Sequence, residues 1–284
     1  MKTRHWSFIS LAAAYAFLTS GPALIGCGGS GSGGAAGSSG GGSGGSSGGG
    51  GAGAGPVLDP MNLISDFEDT TAATVVMAGT PTRNGYWYSY NDGSASCTQT
   101  PKAMDTTVKY IGMAPPAGVP NAGMGQMSLH GLWTGCMTWG AGIGADLNQP
   151  MAPDGGTYSG PKVPYDVTAY TGVTFWAQAA TGSDTALRIK FPMTDETKIV
   201  DGGNCDEAVV GMNKCSDDFG EQSNLPGNGT WKQFTIKWGD TGFHQEGWGA
   251  PFTWNPMHVT SIQIQSVDKT ESYDFWVDDL YFIK

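Results

Sequence analysis

Residues 272–282 read Ser272-Tyr273-Asp274-Phe275-Trp276-Val277-Asp278-Asp279-Leu280-Tyr281-Phe282. From Asp274 to Val277 the stretch has the character of a β-strand. Two adjacent carboxylates then interrupt it, although aspartate is depleted in strands and costly to bury unpaired. Near the start of the foldable region lies Asn62-Leu63-Ile64-Ser65-Asp66-Phe67-Glu68-Asp69, a second short apolar strand running into acids. The first and last strands of one β-domain are therefore expected to pair and to share a cation. The alternative is two solvated acidic strand ends.

Between these ends the sequence reads as short strands separated by Gly, Pro, Asn and Asp. The expected strands are 61–67, 85–91, 106–112, 126–134, 136–141, 172–179, 186–192, 231–238, 259–267 and 273–283. Alternation is clear in several: Leu187, Ile189 and Phe191 oppose Arg188 and Lys190, while Ile262 and Ile264 oppose Gln263 and Gln265. Phe234, Ile236 and Trp238 likewise oppose Gln233, Thr235 and Lys237. No helical period is apparent. Ten strands of this kind predict an all-β fold, a jelly-roll β-sandwich over residues 56–284.

Composition narrows the function classes. Of the 284 residues the first 55 are not expected to fold, and nine of the ten Trp follow residue 86, so one core is expected in the remainder. A net charge of −11 and a pI near 4.6 exclude nucleic acid as a partner, since its phosphates need a basic footprint. The acidity suits a secreted protein that handles neutral ligands and divalent cations.

Lys2, Arg4 and His5 precede an apolar run from Trp6 to Leu18, too short to span a bilayer but suited to a signal peptide over residues 1–26. Leu24-Ile25-Gly26-Cys27 follows and resembles a bacterial lipobox, so Cys27 is expected to carry a membrane-anchoring lipid. Residues 28–55 are only Gly, Ser and Ala. With Cys27 they are expected to form a flexible, disordered linker, residues 27–55, with a reach on the order of 30 Å. Gly28 in place of Asp favours the outer membrane, with the head outside the cytoplasm. Cleavage removes Lys2 and Arg4 and takes the net charge to −13 from −11.

Setting Cys27 aside leaves Cys97, Cys136, Cys205 and Cys215, an even number outside the cytoplasm, for which three connectivities exist. Cys205–Cys215, closing a short polar loop, and Cys97–Cys136 are the favoured pairs. Zinc is the rival, but there is no Cys-x-x-Cys spacing and no His near Cys205 or Cys215.

Asp66-Phe67-Glu68-Asp69, Tyr88-Ser89-Tyr90-Asn91-Asp92-Gly93, the Tyr165–Trp176 segment, Gln245-Glu246-Gly247-Trp248-Gly249 and Phe275-Trp276-Val277-Asp278-Asp279-Leu280 occur in this order. Over most of residues 61–284 this order resembles jelly-roll carbohydrate-binding modules, family 11 and galactose-binding-domain-like, as in myxobacterial surface lipoproteins. The resemblance implies a non-catalytic module that binds polysaccharide, β-glucan included. It also implies a structural calcium held between the chain ends by Glu68, Asp278 and Asp279. Calcium's demand for six to eight hard oxygen ligands is compatible with carboxylates and carbonyls from adjacent strands.

Sugar contacts have no fixed motif, so the ligand-binding candidates come from residue type and alternation. Aromatic platforms and planar polar groups are expected on the solvated face of a curved sheet. Arg188, Lys190, Gln263 and Gln265 fit if their strands share a sheet. Tyr86, Tyr88 and Tyr90 share one face of theirs. His130 lies in an alternating strand beside Trp133, and Trp248 lies in a Gly-rich loop of the kind that carries function on rigid sheets. For each aromatic the competing account is a place in the core. Catalysis is not indicated: the six Glu of the head form no Glu-x-Asp-x-Glu cluster, no Gly-x-Ser-x-Gly motif occurs there, and His130, His244 and His258 are isolated in sequence. Three functions stay open: a monomeric, lipid-anchored polysaccharide-binding module, a polysaccharide-degrading enzyme on the same fold, and an adhesive surface protein that binds another protein.

Overall fold

The computed structural model describes residues 59–68, 78–101, 112–113, 127–148, 161–268 and 271–284. The expected signal peptide (1–26), Cys27 with its linker (27–55) and most of the expected strand 106–112 lie outside them. Twelve strands are present among the described residues: β1 (Leu63–Ser65), β2 (Trp87–Asn91), β3 (Thr98–Thr100), β4 (Gly112–Met113), β5 (Ser128–Thr134), β6 (Ala141–Asp146), β7 (Gly172–Ala179), β8 (Ala186–Lys190), β9 (Gly220–Asn224), β10 (Lys232–Lys237), β11 (Ser261–Ser266) and β12 (Tyr273–Ile283). They form two antiparallel sheets. One runs β10-β7-β12-β5-β3, with β1 also on β12 and β4 on β5; the other runs β2-β6-β11-β8-β9. The fold is the expected jelly-roll β-sandwich.

β12 is the spine of the larger sheet, hydrogen-bonded to β5, β7 and β1. The adjacent aspartates have a backbone cause. The register of β12 against β7 shifts between Asp278 and Tyr281, and Asp279 takes a left-handed φ of 48°. This is a β-bulge, and aspartate tolerates that conformation better than branched residues. The extra residue changes the phase of the strand. Phe275 and Val277 before it and Leu280 and Phe282 after it are therefore all buried in the same core. The expected pairing of the chain's ends is present, with Leu63 opposite Tyr281 and Ser65 opposite Leu280. The fully buried Arg83 reinforces it: its guanidinium donates to the carbonyls of Met61 and Leu63 and to the Tyr165 hydroxyl.

The inner faces of both sheets enclose a core that includes Trp87, Leu129, Trp133, Ile143, Phe175, Ile189 and Ile264. Both favoured disulfides are formed, Cys97–Cys136 and Cys205–Cys215.

Three readings of the sequence are corrected. The expected strand 136–141 is instead a turn, and the strand follows it as β6. Cys136 is held by its disulfide, and the Asp92 carboxylate accepts N–H bonds from Thr138, Trp139 and Gly140, which forces the turn. β6 itself, Ala-Gly-Ile-Gly-Ala-Asp, has too little side chain to read as a strand. β9, Gly-Glu-Gln-Ser-Asn, is polar because it is a sheet edge, and β3 is three residues long.

Candidate ligand-binding face

The outward positions of the five-stranded sheet fall into two rungs that cross it perpendicular to the strands. One rung is Tyr90, Gly142, Gln265, Arg188 and Gln222; the other is Tyr88, Gly144, Gln263, Lys190 and Gly220. The glycines of β6 are what make the face. A Cβ on Gly142 would lie 2.4 Å from Cζ of Tyr90, and one on Gly144 would lie 2.8 Å from Cζ of Tyr88. Both phenol rings therefore lie across β6 and reach β11.

There the two hydroxyls meet the glutamines. The Tyr90 hydroxyl donates to Gln263 Oε1 (2.9 Å), and Gln263 Nε2 donates to the Tyr88 hydroxyl (3.0 Å). Lys190 Nζ donates to Gln265 Oε1 (3.0 Å) and pairs with Asp218 Oδ2 (2.6 Å). Burial first, then the neighbouring Asp146 charge, raises the Tyr88 pKa, and burial raises that of Tyr90, so both phenols stay neutral hydrogen-bonding groups. Arg188 is buried, donates to the His244 carbonyl and lies 4.0 Å from Glu246. Burial lowers its pKa from an ordinary arginine value, and the surrounding carboxylates oppose that. The result is a half-buried, pre-organised array of rings, amides and compensated cations. Such an array can stack on a sugar ring and exchange hydrogen bonds with hydroxyl groups.

A cleft of about 260 Å³ opens at the Tyr90–Arg188 end, lined by Trp139, Arg188, Lys190, Glu246, Trp248 and Gln265 among others. Of the residues chosen from sequence, Tyr88, Arg188, Lys190, Gln263, Gln265 and Trp248 are thus brought to one face, and Tyr86 precedes β2 on the same alternation. His130 is not among them. It lies on the seven-stranded sheet, opposite Trp276, with the two rings stacked 4.4 Å apart and Nε2 2.7 Å from Asp274 Oδ1. Strand alternation gives a side chain's face but not its sheet, so it does not separate His130 from the outward residues of β8 and β11. Trp139, Glu246 and Gln222 join the candidate face or its cleft without alternation to mark them. The Gly-x-Gly of β6 beside the Tyr-x-Tyr of β2 was the available signal, because small residues on one strand make room for large ones on the next.

The acids at the chain ends gather where β1 meets β12. Glu68 Oε1 accepts from the Met127 N–H (2.7 Å), and Asp278 Oδ1 accepts from the Asp279 N–H (2.8 Å). Burial, then the charges of Asp66 and Glu68, raises the Asp279 pKa. That is the electrostatic setting a cation relieves.

No family model matches the sequence, and no curated protein matches it. Among solved structures, a family 11 carbohydrate-binding module from Clostridium thermocellum, in complex with a β-1,3-1,4-mixed-linked tetrasaccharide, is 12% identical, with 78% of this chain and 94% of that chain covered at a TM-score of 0.43. The adhesin domain of Lys-gingipain from Porphyromonas gingivalis is 13% identical over 70% of this chain and 91% of that one, at a TM-score of 0.33. A family 30 carbohydrate-binding module of a Clostridium thermocellum cellulosomal cellulase is 11% identical over 61% and 86%, also at 0.33. At these values the likeness is one of all-β fold alone.

Proposed function

We propose that this chain is a non-catalytic polysaccharide-binding module, anchored to the cell envelope by a lipid on Cys27, that holds a glycan across its five-stranded sheet. The observation that carries the reading is the pair of rungs. Tyr88 and Tyr90 reach across the glycines of β6, and their hydroxyls are tied to Gln263, with Gln265 also in reach of Tyr90, so aromatic surface and hydrogen-bonding groups are set before a ligand arrives. Pre-organisation of this kind lowers the entropic cost of binding.

Two of the carboxylates that line the cleft are held in place: Asp217 accepts from backbone N–H groups, and Asp218 is paired to Lys190. A structural calcium at Glu68, Asp278 and Asp279, joined by Asp66, would hold the scaffold and take no part in ligand contact.

Affinity electrophoresis of the head in gels containing neutral soluble glycans, β-glucans first, tests the reading. Retarded migration in at least one is expected; free migration across the panel overturns it. For the anchor, Cys27→Ala should move the protein from the membrane fraction to the soluble fraction, and unchanged fractionation would remove that part.

A further inference from the structure

We propose that Trp139 and Trp248 form a pre-set aromatic clamp at one end of the face, selective for neutral glycans, and that Asp92 and Asp217 are the positioning residues that hold it open. The inference rests on the polysaccharide-binding reading and goes beyond it in naming the contacts and the ligand charge.

Both tryptophans are far more exposed than a packed ring would be, Trp139 at 43% and Trp248 at 46%, and both line the same cleft. They approach it from different sides. Trp139 lies in the turn before β6 and continues the aromatic strip of β2, with ring centroids 5.9 Å from Tyr88 to Tyr90 and 5.9 Å from Tyr90 to Trp139. Trp248 lies in the loop after β10, and that loop is fastened beside β8 and β9. Gln265 of the intervening β11 donates to the Trp139 carbonyl and accepts from Lys190, and so spans the floor between them.

Each tryptophan loop is built around one aspartate. Asp92 Oδ2 accepts from the N–H groups of Thr138 (2.6 Å), Trp139 (3.1 Å) and Gly140 (3.2 Å). Burial pushes this carboxyl up, but its hydrogen bonds outweigh that and hold it at about 2. Asp217, itself buried, accepts from Glu246 (3.0 Å), Gly247 (2.8 Å) and Gly249 (2.9 Å). Gly249 passes so close that a Cβ there would lie 2.3 Å from Cβ of Asp217. Lys214 Nζ adds a bond to the Trp248 carbonyl, and the Trp248 indole N–H donates to Glu246 (3.2 Å). Two exposed indoles are thus held by fixed loops, which has no purpose in packing. It suits stacking on the flat C–H face of a pyranose.

The charge of the cleft selects against anions. Lys190 is neutralised by Asp218, Arg188 is committed to the His244 carbonyl and Glu246, and Glu246 remains half-exposed. The described residues lining the cleft set Arg188 and Lys190 against Asp217, Asp218 and Glu246, a formal excess of negative charge that disfavours a uronate or a sulfate.

The test measures affinity of the intact head for a retained neutral glycan and, in parallel, for a polyuronate. Trp139→Ala and Trp248→Ala are each expected to weaken neutral-glycan binding about tenfold or more, as loss of an aromatic anchor does, while urea midpoints stay near that of the parent. Glycan should shield both indoles from acrylamide quenching. Asp217→Asn should weaken binding several-fold in the parent and add nothing in the Trp248→Ala background, and Asp92→Asn should behave in the same way with Trp139→Ala. A purely structural role would instead give additive losses. Undiminished binding by both tryptophan variants, or tighter binding of polyuronate, overturns the clamp while the polysaccharide reading stands. Absence of any glycan binding by the parent overturns both.

Discussion

Glu196 offers a quantitative check on the electrostatics around Lys190 and Asp218. It is fully buried; Oε2 accepts from the Met193 N–H (3.3 Å), and Oε1 has no hydrogen-bond partner among the described residues. Burial, then the Asp218 carboxylate, pushes its pKa from an ordinary 4.5 to about 9, with Lys190 acting in the opposite direction. Between those values the folded protein keeps the proton and the unfolded chain releases it. Linkage then makes Glu196's contribution to stability full below about pH 4.5 and progressively lost as pH rises to about 9. The slope is about 1.4 kcal/mol per pH unit, hence up to about 4 kcal/mol between roughly pH 5.5 and 8.5. Glu196→Gln preserves shape and acceptor and cannot ionise. Urea unfolding of the disulfide-intact parent and variant across that range provides the assay, because groups common to both cancel in the difference. The variant's stability relative to the parent should climb with pH by on the order of 4 kcal/mol. A difference that stays constant with pH would refute a neutral Glu196 behind Lys190 and Asp218.

Two further outcomes are expected. Gly142→Ala should displace the Tyr90 ring and press on the Ile264 carbonyl, 2.9 Å from the new Cβ. It should cost about 1–3 kcal/mol and weaken glycan retention, so unchanged retention would show that the ring's position is immaterial. Chelation with EDTA should lower the thermal midpoint of the head. The calcium-bound form gains about 2.7 kcal/mol at a hundredfold excess over Kd, and Asp279→Asn should remove the difference; identical melting with and without EDTA would sink the calcium proposal.

The sequence by itself determined the β class and the pairing of the first strand with the last, favoured the two disulfide pairs that form, and picked out most of the outward residues of the candidate face. Each of these follows from local chemistry: period-two alternation names a strand's outward residues, and strongly apolar strands such as β7 and β12 declare themselves. Six of the eight ligand-binding candidates line the two rungs or the cleft because Arg188 and Lys190 share one strand's outward face and Gln263 and Gln265 another's. Only the tertiary structure decided which strands lie side by side. It set His130 on the opposite sheet, made the Asp278–Asp279 pair a bulge that rephases β12, and turned the blank-looking glycines of β6 into the bed on which Tyr88 and Tyr90 rest. It also brought Trp139 to the same cleft as Trp248, 109 residues further along the chain. Alternation along a strand is dictated within a few residues. The neighbour across the sheet is chosen by burial of the whole core, and no short stretch of sequence contains that information.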